Sequence, residues 1–312
     1  VSCINCRVRA RSYRALTDDL QLMPEIPTAN QVVSLNSSST DALDIQLLVL
    51  DIDGTIAGES NDVGEQVLQA ICQAQAKGIQ VAIATGRMYC SALRFHRAVG
   101  ATLPILAYQG AWIQDPATQK IHQHLPVSRT MAEQLLDYFE SEAMRSLLSV
   151  HFYINDQLYV RQITPQTQLY AERAHIQPLA VGDLRLLTCE PTKILALCDR
   201  AEIIDQMWDS LRQRYTTAEL YLTKSVATFF EVTNPAANKG TAVRYLAEEL
   251  LGLQPHNVMA IGDNFNDLEM LEYAGLGVAM GNAPDAVQAI AQWVAPSIEQ
   301  DGVAAAIEEF IF

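Results

Sequence analysis

Positive charge is in short supply in this sequence. Its 312 residues carry 21 lysines and arginines against 36 aspartates and glutamates, a formal net charge of −15. No Lys/Arg cluster is dense enough to track a phosphate backbone, so no nucleic-acid partner is expected. Long uncharged apolar runs are also missing. None approaches the roughly 20 residues of a membrane-spanning helix, so no membrane partner is expected either. Cysteine is sparse: Cys3, Cys6, Cys72, Cys90, Cys189 and Cys198 are too few and too scattered to staple a chain of this size. That pattern suits a reducing, cytoplasmic setting. Cys3-x-x-Cys6 has zinc or redox spacing, but no second Cys/His pair answers it. The histidines are dispersed; His122 and His124 share one strand face, where packing or solvation accounts for them.

What is present is ordinary in bulk and specific in detail. With 49% hydrophobic and 18% charged residues, the composition is that of a soluble globular protein, and the length allows two domains. Residues 1–45 show no sustained periodicity and end in the polar stretch Ser37-Ser38-Ser39-Thr40-Asp41. Basic residues open this segment (Arg7, Arg9, Arg11, Arg14), yet no apolar core follows as in a secretory signal. A poorly ordered extension is expected there.

From Leu47 strands and helices alternate. The run 47–50 is uniformly apolar, as befits a strand buried on both faces of a parallel sheet. A helix over about 63–77 carries Val67, Leu68, Ile71 and Ala74 at helical spacing and closes at Gly78. A strand at 79–84, a helix at 91–99 and a strand at 105–108 follow. Three such strands with helical crossovers predict a doubly wound parallel sheet. The rhythm breaks over 112–234. Short strands at 152–154, 158–160, 194–198 and 228–232 mix there with helices near 130–145 and 201–214, and Asn155-Asp156 reads as a hairpin turn. From Gly240 the alternation resumes: helix 240–251, strand 258–261, helix 267–273, strand 277–279, helix 284–291. The expectation is an α/β, Rossmann-like domain formed by residues 46–111 and 235–312, interrupted by an α+β insert at 112–234.

Four short motifs fall at strand ends or helix starts of the alternating domain. Asp51-Ile52-Asp53-Gly54-Thr55 leaves the first strand, where ligands of open α/β sheets gather. Burying two carboxylates there is costly without a cation, which points to a metal and an anionic substrate. One carboxylate can attack phosphorus, and a second can shuttle protons. Thr85-Gly86-Arg87 ends the second strand, where a hydroxyl and glycine-turn N–H groups can hold a phosphate oxygen; alone it could be a plain turn. Lys239, in Asn238-Lys239-Gly240, could offset phosphate charge, although a lone lysine at a helix start is ordinarily solvated. Gly262-Asp263-Asn264-Phe265-Asn266-Asp267 concentrates oxygen ligands suited to Mg²⁺, and Asn266 or Asp267 could equally cap a helix. Four coincidental turns in this order are improbable; the conjunction carries the chemistry.

In these motifs the chain resembles the haloacid dehalogenase (HAD) superfamily, and within it the Cof-type phosphatases with a C2B cap, from about residue 46 to 312. The insert lies between the second and third motifs, as in that arrangement. The resemblance implies Asp51 as a nucleophile forming a phospho-aspartate, and Asp53 as general acid/base that ligates Mg²⁺ through its backbone carbonyl. Asp51 and Asp263 would supply the other metal ligands, with Asp267 behind them. Thr85, Gly86, Lys239, Asn266 and the backbone of Ile52 would hold the phosphoryl group. An Asp at position 53 implies a phosphatase or phosphomutase, since dehalogenases lack it and P-type ATPases carry threonine there. Gln109-Gly110-Ala111 departs from the usual Asn-Gly-Ala. The implied function is Mg²⁺-dependent hydrolysis of a small phosphorylated metabolite, sugar phosphates before phosphorylated cofactors, with the insert as a closing cap and a monomer as default. Phosphomutase-like transfer and a non-catalytic phosphate-binding protein are the alternatives.

Overall fold

The computed structural model describes residues 44–312. The Cys3/Cys6 pair, the basic opening and nearly all of the expected extension lie outside these residues. Among them, no helix is long and apolar enough to cross a membrane.

The chain runs β1 (Leu47–Leu50), α1 (Glu65–Ala76), β2 (Gln80–Ile83), α2 (Tyr89–Ala98) and β3 (Ile105–Ala107), then β4 (Trp112–Gln114) and β5 (Ile121–His124). The insert follows with α3 (Arg129–Phe139), β6 (Ser149–Ile154), β7 (Gln157–Val160), α4 (Pro165–Ala174), β8 (Leu179–Ala180), β9 (Lys193–Leu197), α5 (Ala201–Arg214), β10 (Tyr221–Thr223) and β11 (Phe229–Thr233). The return comprises α6 (Lys239–Arg244), β12 (Val258–Gly262), α7 (Leu268–Tyr273), β13 (Leu276–Ala279), α8 (Asp285–Gln288), β14 (Trp293–Val294) and α9 (Gly302–Ile311).

The core sheet is parallel, in the order β14-β13-β12-β1-β2. Successive side chains of a strand point to opposite faces, and β1 buries both. Leu48 and Leu50 pack with Val67, Ile71, Phe95 and Ile307, from α1, α2 and α9. Leu47 and Val49 pack with Ala242, Val243, Met270 and Leu271, from α6 and α7. This is the doubly wound arrangement expected of an unbroken apolar run.

The third expected strand behaves differently. β3 meets the end of β2 in a single parallel bridge, Ala84 to Leu106, and then pairs antiparallel with β4, which pairs with β5. Residue 112, where the insert is expected to begin, is thus the first residue of β4 beside β3. His124 on β5 donates to or accepts from Thr192 Oγ1 at 2.9 Å. Two expected helices are shorter: α3 ends at Phe139, the last residue of its buried stripe, and only Asp285–Gln288 is helical in the 284–291 stretch. Beyond Arg244 the expected helix continues to Leu251 in wider π-helical turns.

The insert is an α+β cap on a six-stranded sheet, β10-β11-β9-β6-β7-β8, antiparallel except for β7 against β8. The β6–β7 hairpin turns at Asn155 and Asp156, whose φ angles of 52° and 58° match the primed turn that fits strand twist. One sheet face packs on α3 and α5 through Leu135, Phe139, Ile204 and Met207. The other presents Tyr153, Leu158, Leu195 and Leu197 towards the core.

Buried in this second face, His151 bonds Thr167 Oγ1 through Nε2 at 2.9 Å. Burial first, and the Lys193 charge second, push its pKa down to about 3. Because an unfolded histidine titrates near 6.5, the unfolded chain binds one more proton below that pH, and stability falls as pH drops from about 6.5 towards 3. Between pH 7 and 4.5 wild type should lose roughly 2–3 kcal/mol more than His151→Gln in urea melts. Parallel pH profiles would show His151 to be protonated in the fold.

Candidate active site

Asp51 follows β1 directly, its N–H bonded to Ile261 O at 3.1 Å. The chain then folds back on itself: Ile52 O accepts from the N–H groups of Thr55, Ile56 and Ala57. Gly54 sits at the apex with φ +81°, and a Cβ there would collide with the Asp263 carboxylate. Only glycine meets both demands. The turn brings Thr55 Oγ1 within 3.2 Å of Asp263 Oδ1, tying the first motif to the fourth.

Lys239 opens α6, whose N-cap Asn238 forms a reciprocal capping box with Thr241. Its side chain is fully buried, with Nζ 2.7 Å from Asp51 Oδ1 and 2.5 Å from Asp267 Oδ1. The ordinary solvated lysine is therefore ruled out. Burial alone would lower its pKa, but Asp267 and Asp51 outweigh that and raise it. Asp267 accepts on its other oxygen from the N–H groups of Asp263 and Asn264, at 2.9 and 3.0 Å. The local cap is Asn264, which accepts from Phe265 N at 2.8 Å.

Asp51, Asp263 and Asp267 each offer an oxygen within 4.8 Å of the others. Burial, then the charge of Asp267, raise the Asp51 pKa well above the carboxylate range despite Lys239. Burial and Asp267 likewise push Asp263 up to about 7. Three buried carboxylates with one lysine between them are short of positive charge, and their donors are all hard oxygens. A divalent cation such as Mg²⁺ fits this set.

Asp53 stands apart from the cluster. Its carboxylate is about half exposed (48%) and forms a two-point pair with Arg87, Nε to Oδ2 at 2.7 Å and Nη2 to Oδ1 at 2.6 Å. Arg173, from α4 of the cap, lies 3.8 Å away. Burial works to raise the Asp53 pKa, but the Arg87 bonds and charge override it and hold it below the usual value. Thr85 is buried, its Oγ1 accepting from Arg87 N at 3.1 Å. Gly86 lies against Gln109, whose Nε2 would be 2.5 Å from a Cβ at that position. Asn266, 5% exposed, donates to Gln109 Oε1 at 3.2 Å.

Residues of three motifs therefore line the floor of one cavity of about 760 Å³ between core and cap, and Lys239 of the remaining motif lies buried behind Asp51. Arg173 and the cap pair Lys193–Glu231 also line it and carry no sequence signal. Gln109, marked in the sequence only by its departure from Asn-Gly-Ala, lies buried behind Gly86 and Asn266, and Arg87 stands inside the Thr85-Gly86-Arg87 motif without an expected role.

A model of the haloacid dehalogenase-like hydrolases matches residues 48–307. The chain belongs to that family. This haloacid dehalogenase-like hydrolase is 31% identical over 279 residues to the putative phosphatase YxeH of Bacillus subtilis, covering 85% of this chain and 98% of the relative. It is 30% identical over 275 residues to the 5-amino-6-(5-phospho-D-ribitylamino)uracil phosphatase YitU of the same organism, covering 85% and 97%. A crystal structure of a haloacid dehalogenase-like hydrolase from Bacteroides thetaiotaomicron superposes with a TM-score of 0.75 at 26% identity, covering 86% of this chain and 100% of the other.

Proposed function

We propose that this protein is a Mg²⁺-dependent phosphatase that hydrolyses a small phosphomonoester through a covalent phosphate on Asp51. The observation that carries this reading is the pairing of Asp51 with fully buried Lys239, beside Asp263, at the floor of the capped cavity. An Asp51 oxygen attacks phosphorus as the ester P–O bond breaks, and Asp53 gives a proton to the departing oxygen. Asp53 next takes a proton from water, whose oxygen attacks phosphorus, releasing inorganic phosphate and restoring Asp51. The Arg87 and Arg173 contacts favour the ionised Asp53 needed in that second half. Lys239, Thr85, Asn266 and the N–H groups of Ile52 and Gly86 hold the remaining phosphoryl oxygens. Mg²⁺, held by Asp51, Asp263 and the Asp53 backbone carbonyl, would supply further positive charge to the phosphoryl group when bound. Asp267 keeps Lys239 and the Asp263 loop in place.

The cap contributes Tyr170, Leu195, Leu197, Val226 and Phe229 to the cavity wall. So apolar a wall supports a leaving group with a flat, apolar face, and one relative is named for a phosphorylated uracil derivative. Phosphorylated cofactors and their precursors therefore rank ahead of simple sugar phosphates. Turnover of p-nitrophenyl phosphate and of a phosphometabolite panel, with excess Mg²⁺ and after chelation, tests the reading. A fall of about 100-fold or more on chelation is expected. Undiminished turnover would remove the metal from the mechanism, and inertness towards the whole panel would leave a phosphate-binding protein. Release of inorganic phosphate rather than an isomer separates hydrolysis from phosphomutase transfer.

A further inference from the structure

The cap reaches the phosphate-holding floor through a buried ion pair. Lys193 on β9 and Glu231 on β11 lie 3.0 Å apart, each side chain 3% exposed. Lys193 Nζ also donates to Gly86 O in the core, at 2.7 Å. Glu231 Oε1 accepts from Ser225 Oγ, and its Oε2 accepts from Gln109 Nε2 at 3.4 Å. Gln109 is fully buried, holds a φ of +60° that is uncommon outside glycine, and passes the contact on to Asn266.

The chemistry of each partner fixes the direction of this chain. A carboxylate in an ion pair only accepts. Gln109 must therefore turn its nitrogen to Glu231, which leaves its oxygen for Asn266. Asn266 must answer with its own nitrogen. An amide nitrogen carries two hydrogens; Gln109 holds one, and the other remains for a phosphoryl oxygen. With the amide turned over, Asn266 would meet phosphate oxygen to oxygen. The imposed orientation also leaves Asn266 Oδ1 buried with no hydrogen-bond partner among the described residues. Isolated from its neighbours, the amide would not choose such an orientation, since an unmet buried acceptor is destabilising.

Resting on the phosphatase reading above, we propose that Gln109 and the Lys193–Glu231 pair are positioning residues. They orient the Asn266 amide and the Gly86 peptide for the phosphoryl group, so the phosphate site is complete only when the cap is seated on the core. The departure from Asn to Gln at position 109 then has a physical meaning: the longer side chain spans from Asn266 to Glu231.

A double-mutant cycle tests this. Gln109→Met keeps length and unbranched shape but has no polar end. It should lower kcat/KM for p-nitrophenyl phosphate, and weaken competitive inhibition by inorganic phosphate, about tenfold each. In an Asn266→Ala background, itself impaired, the same change should matter by less than about twofold. Glu231→Gln keeps volume and an acceptor for Lys193 but removes the charge that sets the direction. It should give a smaller loss, also absent in the Asn266→Ala background, and serves if Gln109→Met does not fold. Equal losses in both backgrounds would assign these residues a merely structural role and overturn the proposal. So would an Asn266→Ala protein as active as wild type. Wild-type protein inert towards phosphomonoesters and indifferent to inorganic phosphate would overturn the phosphatase reading and take the relay with it, whereas an active enzyme with additive losses overturns the relay alone.

Discussion

Asp51→Asn should leave a folded protein whose kcat is lower by on the order of 10⁴-fold or more. The amide occupies the same volume but offers no nucleophilic carboxylate. No other described carboxylate can replace it at the end of β1: Asp267 is engaged by Lys239 and two backbone N–H groups, and Asp53 by Arg87. Stability should move the other way from activity. Burial, Asp267 and Asp263 all disfavour a charge on Asp51, so an uncharged amide there relieves repulsion while giving up one Lys239 contact. Turnover measured with Mg²⁺ and thermal unfolding measured without it would check this. Substantial activity in the variant would show that the covalent phosphate forms elsewhere, and a collapsed melting temperature would show that Asp51 chiefly holds the fold.

Lys239→Met should do the opposite and damage both. Its ammonium is enclosed between Asp51 and Asp267 with no exposure. Removing one partner of a buried ion pair leaves uncompensated charge and costs about 3–5 kcal/mol. For a domain of this size that corresponds to a melting temperature lower by roughly 5–10 °C. Activity should vanish as well, because the phosphoryl group loses its nearest buried cation. Asp267→Asn added to Lys239→Met should recover part of the stability and none of the activity. Unchanged melting in the single variant would mean the three aspartates are not mutually repelling in the folded protein.

The candidate site was more legible than the scaffold that surrounds it. Asp51, Thr85, Lys239 and Asp263 could be read because each motif packs polar groups into the few residues after an apolar strand or before a helix, a local signal. The buried strand β1 and the hairpin at Asn155-Asp156 were equally local. Burial of Lys239 was not: its partners come from two distant segments, and nothing beside it in sequence distinguishes it from a solvated lysine. The Arg87–Asp53 pair joins the ends of two separate strands, and the approach of Arg173 depends on how α4 sits over the core. Gln109 registered only as a departure from a pattern; its contacts with Gly86, Asn266 and Glu231 join four separated stretches. Of the β4–β5 ribbon only the shared strand face of His122 and His124 was legible, because Ile121-His122-Gln123-His124 carries one large aliphatic residue, too little alternation to mark the ribbon.

The placement of β1 inside its sheet, between two partners, has a consequence for the order in which the molecule is made. Its two neighbours are β2, a short distance along the chain, and β12, whose partner residues begin at Val258. The cap sheet lies wholly within 149–233 and needs nothing from the later residues to form its ladders. During synthesis the cap can therefore condense while β1 still has one open edge, and the long closure to β12 comes late. The carboxylate cluster thus closes late in the growing chain, when Asp263 meets the glycine turn that has waited for it since the first strand.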